Sequence, residues 1–565
     1  MSQQHLIGKT TFEINPGRLG DMNGLQQDLS QLFWQQVLPE MEQLFDQLVG
    51  PDEVIRLEQL VLTLPPLGAH ELPIDFVPAL MQALRSTLRD HLAGYAVDGI
   101  VSAGDMRSRV AADWEIFLYF LDYGRLPWWS AAVPWSQWLE RWQTALQNNA
   151  SGQASLRTLL VSSPMAAERL IGQFSGAFRH QLLLQVQPTW VQVRALLDQA
   201  HLLMQALDIE PATVQRLDHQ AWWLLLVALG ASGPQSPMPD TIYHDWLQLL
   251  VDDLHQQAAS EIFSGEISAA PPGDGPMAER PSLSELPLGD AQSRSETMPT
   301  ARESPVLRHL RTVIMAWTVA VRSPWLVALN QVVDSPLANP QPTAEPVPPI
   351  AVMTDNMSES VAGADSLARG SAGDDFTSLR QLRPEQAARV PRLPTDEAAA
   401  GLYLNQAGIV LLHPFLPPYF EGIGLLAGRQ FQDEACQQTA IYLLHYLATG
   451  ATDPPEYELV LPKLLCGWPL DTPVVCPDLP PAALEEAEHL LQAAIDHWQA
   501  LKSTRPDGLR EGFLQREGKL TCSCDRTWKL QVEQQAIDVL LSRLPWSVSI
   551  VKLPWMDDLL TVEWV

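Results

Sequence analysis

Lys519-Leu-Thr-Cys-Ser-Cys-Asp-Arg-Thr-Trp-Lys-Leu-Gln-Val-Glu533 reads as a hairpin. Lys519 to Cys522 and Trp528 to Glu533 have strand character and pair across the turn residues Ser523 to Arg526. Around it, Ala435 to Thr449 and Pro481 to Lys502 place apolar residues on one helical face. Ile409 to Leu412 is a short apolar run that suits a buried strand or a buried helix. Gln535 to Leu544 is helical, and Val548 to Leu553 and Leu559 to Trp564 are strand-like. Strands and helices mixed in this way make residues 399–565 an α+β block. It is dense in Trp, Pro, Gly and apolar residues and poor in chemistry, which suits docking.

Working outward, residues 1–95 read as β-α-β-α. His5 to Ile14 and Val54 to Leu64 carry β-type residues with local alternation. Asp21 to Val49 sets Leu25, Leu29, Leu32, Phe33, Val37, Met41, Leu44, Phe45 and Leu48 in one apolar stripe, with a kink at Pro39. Ile74 to Leu92 is a second amphipathic helix. Residues 96–263 are helical: Asp113 to Leu121, Leu156 to Leu170, Thr189 to Leu207, Val214 to Leu229 and Tyr243 to Ala258 are separated by Pro and Gly, as in a bundle or stacked hairpins. Residues 264–398 are a low-complexity linker. Segments 264–305 and 334–398 are rich in Ser, Pro, Gly, Ala and acidic residues and cannot offset chain entropy by burial. Between them lies an apolar helix, 306–333, broken near Pro324, and a short helix is expected near Arg383. The fold class is therefore α+β, mostly α-helical, with a disordered Pro/Ser-rich middle.

The net charge of −30 argues against nucleic acid, which needs a basic footprint, and against anionic membrane surfaces. No lysine occurs between Lys9 and Lys463. The apolar run Val313 to Val321 is too short for stable membrane insertion. The start, Met1-Ser-Gln-Gln-His5, shows no signal-peptide pattern. The five cysteines Cys436, Cys466, Cys476, Cys522 and Cys524 have no framework spacing and point to a reducing compartment.

Catalytic, cofactor and metal motifs are expected to be absent. There is no nucleophile elbow, phosphate loop or His-Glu-x-x-His. Gly422-Ile-Gly-Leu-Leu-Ala-Gly428 misses the dinucleotide-loop spacing by one residue. Cys522-Ser-Cys524 lacks the second pair that tetrahedral zinc needs. His413 reads as a packed, hydrogen-bonded histidine. An enzyme would be indicated by a pocket joining His413 or His445 to an acidic partner. The 19 tryptophans are the informative feature. Trp128, Trp129 and Trp135, with Trp138 and Trp142, form either an interface stripe or staples of a helical core. Trp546, Trp555 and Trp564 pose the same alternatives, and Trp128, Trp129, Trp135, Trp546, Trp555 and Trp564 are the candidate interface residues.

Three regions resemble the tape measure proteins of contractile injection systems, the phage-tail-like particles of bacteria. The first comprises His5-Leu-Ile-Gly-Lys-Thr-Thr-Phe-Glu13, Pro39-Glu-Met-Glu-Gln-Leu-Phe-Asp46 and Ile55-Arg-Leu-Glu58. The second is Phe120-Leu-Asp-Tyr-Gly-Arg-Leu-Pro-Trp-Trp129. The third lies in the last block: Asn405-Gln-Ala-Gly-Ile-Val-Leu-Leu-His-Pro-Phe-Leu416, Pro455-Glu-Tyr-Glu-Leu-Val-Leu-Pro-Lys-Leu-Leu-Cys-Gly467 and Ile550-Val-Lys-Leu-Pro-Trp-Met556. The resemblance implies a non-enzymatic structural protein that sets inner tube and sheath length. It implies the inner tube protein and baseplate hub or spike proteins as partners, with self-association, and a place in the bacterial cytoplasm or the particle lumen. It brings no catalytic residues. The alternative is an assembly adaptor or chaperone for tube or hub components. One rigid rod is excluded, because the longest proline-free stretch, Ala79 to Leu126, reaches only about 72 Å as helix. Either the middle stretches, several copies act together, or the chain is an assembly factor.

Overall fold

A computed structural model describes residues 5–14, 22–66, 72–97, 106–267, 305–333 and 401–564, apart from residues 9, 51, 58, 132, 150, 151, 502, 503 and 524–526. The linker stretches 268–304 and 334–400, the helix expected near Arg383, the turn residues after Ser523 and Cys524 lie outside the described residues. The chain divides into two compact units, 1–191 with 226–236 and 391–565, and 192–225 with 237–390. It is mostly helical with small sheets, the α+β class expected.

In the first unit the amino-terminal helix runs from Met22 to Leu48, with a π-helical turn at Phe33–Val37 just before Pro39. Pro39 has no N–H to give the carbonyl four residues back, and the wider turn absorbs that loss. The described residues of His5 to Ile14 form no strand, contrary to the alternation. Leu6, Ile7 and Ile14 remain exposed, while His5 meets Phe45 at 5.2 Å and Phe12 lies 5.4 Å from Phe33 and 6.3 Å from Phe76, centroid to centroid. Strand β1 is only Glu53–Ile55, and its antiparallel partner is β2, Met106–Ser108. Beyond β1, Leu57, Leu60, Leu62 and Leu64 pack on the buried face shared by Leu29, Val37, Leu44, Phe76 and Leu84. The helix expected from Ile74 spans Leu72–Val97 and carries Pro78 within it.

The helices Arg109–Tyr123, Trp135–Asn148, Gly152–Ser162, Pro164–Gln173 and Gly176–Val186 follow. Ser108 caps the first, its hydroxyl accepting the Ala111 N–H at 3.2 Å. Gly124 ends that helix in the left-handed region, φ 70°. Trp138 and Trp142 are fully buried and stack at 5.5 Å, and Phe120 stacks on Trp142 at 5.5 Å. For these two the core reading holds.

The carboxy-terminal part of the same unit opens with β3, Leu402–Leu404. Ile409 to Leu412 belongs to a buried 3-10 helix, Ala407–Leu412. Helices Leu416–Gly422, Glu434–Thr449, Val460–Leu465 and Pro481–His497 surround it, and β4 (Leu426–Ala427) and β5 (Gln430–Phe431) form a small hairpin. The opening stretch folds as read: β6, Gly518–Cys522, pairs antiparallel with β7, Trp528–Val532. With β8 (Ile550–Val551) and β9 (Leu560–Glu563) they make a sheet of order β3-β6-β7-β9-β8, parallel only between β7 and β9. Alternate residues Leu520, Trp528, Leu530 and Leu560 are buried, so one sheet face closes on the helices.

In the second unit, helices Val193–Ala206 and Thr241–Ile267 accompany the pair Pro305–Met315 and Val319–Val333. The break expected near Pro324 falls instead at Ala316–Thr318, while Pro324 sits inside the second helix. The apolar island has a partner: Trp325 is fully buried, donates to Gln199 Oε1 at 2.9 Å, and lies 5.0 Å from Tyr243 and 5.5 Å from Trp246.

Candidate functional site

A buried polar cluster lies where the helix Pro164–Gln173 meets the stretch from Pro455 to Thr472, within the first unit. Arg169 and Glu456 are both buried at the side chain, and Arg169 Nε donates to Glu456 Oε2 at 3.1 Å. Arg169 Nη1 donates to the carbonyls of Leu121 at 2.8 Å and Asp122 at 2.6 Å. Its Nη2 donates to the Asp471 carbonyl. From the other side Lys463 Nζ donates to Glu456 Oε1 at 2.6 Å and to the Thr472 carbonyl at 2.9 Å. Gln173 Oε1 accepts the Glu456 backbone N–H at 2.9 Å. The family-like motif at 120–129 supplies the floor. A Cβ on Gly124 would stand 2.3 Å from Glu456 Oε1 and 2.7 Å from Arg169 Nε, so both the positive φ and the close approach require glycine.

Arg125 is also buried, so cations outnumber carboxylates among these buried side chains. Burial pulls Lys463 down to about 8 despite Glu456, and Arg125 down to about 10 despite Asp471. Such a cluster fixes which surfaces meet more than it raises stability. No sequence motif marks it, because ion pairs between residues 287 positions apart have no spacing signature. One signal was present: Lys463, the first lysine after Lys9, lies in the apolar run Leu459-Val-Leu-Pro-Lys-Leu-Leu465.

A second constellation lies nearby. Tyr403, Leu404, Asn405, Gln406, Tyr457, Glu458 and Leu461 line a small cleft. Behind it His445 Nδ1 is 3.1 Å from Gln406 Oε1, and its Nε2 is 3.8 Å from Glu458 Oε2. Gln406 donates to Glu458 at 3.4 Å. His445 does meet an acidic partner, but it is 1% exposed, out of reach of solvent. Burial holds its pKa at about 4 instead of 6.5 and raises that of Glu458. The fold therefore keeps His445 neutral where the unfolded chain binds a proton. Its contribution to stability is full above pH 6.5 and falls as pH drops towards 4, by up to about 3 kcal/mol. Urea unfolding at pH 7 and pH 4.5 should show this loss, and His445→Asn should flatten it. Equal acid sensitivity in the variant would refute the assignment. His413 bonds back to the Val410 carbonyl at 2.9 Å. Among the described residues no group of three or more His, Cys, Asp or Glu could hold a metal ion.

The candidate tryptophans divide. Trp555 is buried, donates to the Leu465 carbonyl at 2.8 Å, and lies 5.1 Å from Phe431. Trp564 is buried and donates to Asp538 at 3.2 Å. Trp546 is half-buried and donates to the Leu411 carbonyl at 3.0 Å. Trp135 is half-buried, 5.4 Å from Trp142 and 6.0 Å from Tyr457. Trp128 and Trp129 are half-buried, with Arg56 4.8 Å above the Trp129 ring. Trp34, outside the candidate set, is 70% exposed. Trp555→Ala should cost about 3–5 kcal/mol, read by urea unfolding, since a large ring and a buried donor site are both lost. A loss below 1 kcal/mol would show that the ring is not part of the core.

No helix among the described residues is long and apolar enough to cross a membrane. No curated protein and no solved structure matches the chain. A family model described as contractile injection system tape measure protein matches residues 4–564.

Proposed function

We propose, from the premise that the chain belongs to the family of contractile injection system tape measure proteins, that it is a structural assembly protein that sets the length of the inner tube and sheath. The match over nearly the whole chain carries this reading. The protein acts in the bacterial cytoplasm, entering the tube lumen as the particle grows. Its partners are the inner tube protein, the baseplate hub and spike, and further copies of itself. It works without catalysis: His445, beside the half-buried Glu458, is sealed from solvent, where a general base must reach water or substrate.

Deleting part of 334–398 tests the measuring role. Particles should assemble and be uniformly shorter, by at most about 3.3 Å per deleted residue if extended and about 1.5 Å if helical. Sharp, unchanged tube lengths in electron micrographs would refute it. A second reading, an adaptor that holds hub or tube components before polymerisation, is favoured by the Arg169–Glu456 contact, which ties together segments on both sides of the middle. Capture of tube protein by a factor missing from purified particles would mark the adaptor.

A further inference from the structure

We propose that the Arg169–Glu456–Lys463 cluster is an internal clasp, through which the segment 401–565 takes the chain's own amino-terminal segment as its docking partner. Three observations within the first unit carry this. The polar contacts are mutual and buried: Arg169 reads the Glu456 carboxylate and the Asp471 carbonyl, while Gln173 reads the Glu456 N–H. The surfaces approach too closely for a side chain at Gly124. Aromatic packing extends the joint, with Trp135 against Tyr457.

The geometry also selects its partner. The Arg169 guanidinium bridges a carboxylate on one segment and the Leu121 and Asp122 carbonyls on the other. A surface without that carboxylate would leave two buried cations uncompensated. The clasp therefore recognises the Pro455-Glu-Tyr-Glu458 corner and rejects apolar substitutes.

Residues 1–191, 226–236 and 391–565 then belong to one unit, which the chain leaves at 192–225 and again at 237–390. With the chain on both sides held in one unit, a measuring span between them would be doubled. In a measuring role a doubled loop reaches about half its contour, roughly 1.7 Å per deleted residue when extended. Loss of 401–565 would remove the partner of Arg169 as well as any external docking surface.

The test cuts the folded full-length chain. A specific protease site is placed within 334–398, and the cleaved protein is passed over a sizing column at micromolar concentration. The two pieces should elute together at the mass of one chain. Their separation overturns the clasp. Lys463→Met, which keeps the Arg169–Glu456 pair, should still hold the pieces. Glu456→Gln should weaken retention at least about a hundredfold, because it strands the buried guanidinium. Equal retention in Glu456→Gln and the unsubstituted protein would assign the joint to apolar packing and overturn the ionic clasp.

Discussion

Glu456→Gln is expected to lower the unfolding free energy by about 3–5 kcal/mol, a large share of a domain's net stability. The substitution keeps shape, removes the charge and turns one acceptor oxygen into an NH2 donor. Glu456 stands between Arg169 and Lys463, both fully or almost fully buried at the side chain. Without the carboxylate these cations and the nearby Arg125 repel one another in a medium that screens them poorly. A Gln oxygen in the Oε1 place can still accept from Lys463 and Arg169, but it offers no counter-charge, and the amide NH2 would face the Arg169 N–H. Urea unfolding gives the number. Glu458→Gln, two residues on and 29% exposed at the side chain, is the control and should shift stability by less than about 1 kcal/mol. Equal effects at the two positions would show that Glu456 has no special electrostatic place.

Gly408→Ala should cost at least about 3 kcal/mol, the upper end of overpacking penalties. Gly408 sits in the 3-10 helix Ala407–Leu412, against the π-helical turn Arg510–Leu514. A Cβ there would fall 1.7 Å from the Phe513 carbonyl oxygen and 2.9 Å from the Leu514 Cα. These are backbone atoms, so no rotamer change relieves the overlap. The turn itself would have to move, and Phe513 and Leu514 are both buried. Gly422→Ala is the control: a Cβ there meets nothing within 4 Å, and its effect should stay within about 0.5 kcal/mol. Thermal melts that coincide for Gly408→Ala and the parent would show that the two turns are not in contact.

Local patterns were legible where local forces decide the element. The hairpin of β6 and β7 follows from alternation, and the helices Glu434–Thr449 and Pro481–His497 from their apolar periods. His5 to Ile14 alternates too, yet its described residues pair with no strand, and His5 and Phe12 touch the helices instead, because alternation alone supplies no partner strand. Pro324 was read as a breaker, but the chain turns at Trp317 and accommodates the proline in the following helix. The tryptophan stripe illustrates the limit of composition. Spacing gave Trp138 and Trp142 a common face, while only the fold shows that Phe120 covers it. The ion cluster was least legible of all. Arg169, Glu456 and Lys463 acquire their meaning from the meeting of remote segments, and no window of sequence contains them together.

That remoteness has a consequence for synthesis. Arg169 leaves the ribosome 287 residues before the carboxylate it pairs with. At about 5–20 residues per second the delay is roughly 15–60 s. Throughout it, Arg125, Arg169 and the face around Trp135 are presented without their carboxy-terminal partners. The first unit cannot finish folding until the segment carrying those partners has emerged. The joint can close only after Glu456 and Lys463 have been made, so the amino-terminal helices wait for a segment synthesised long after them.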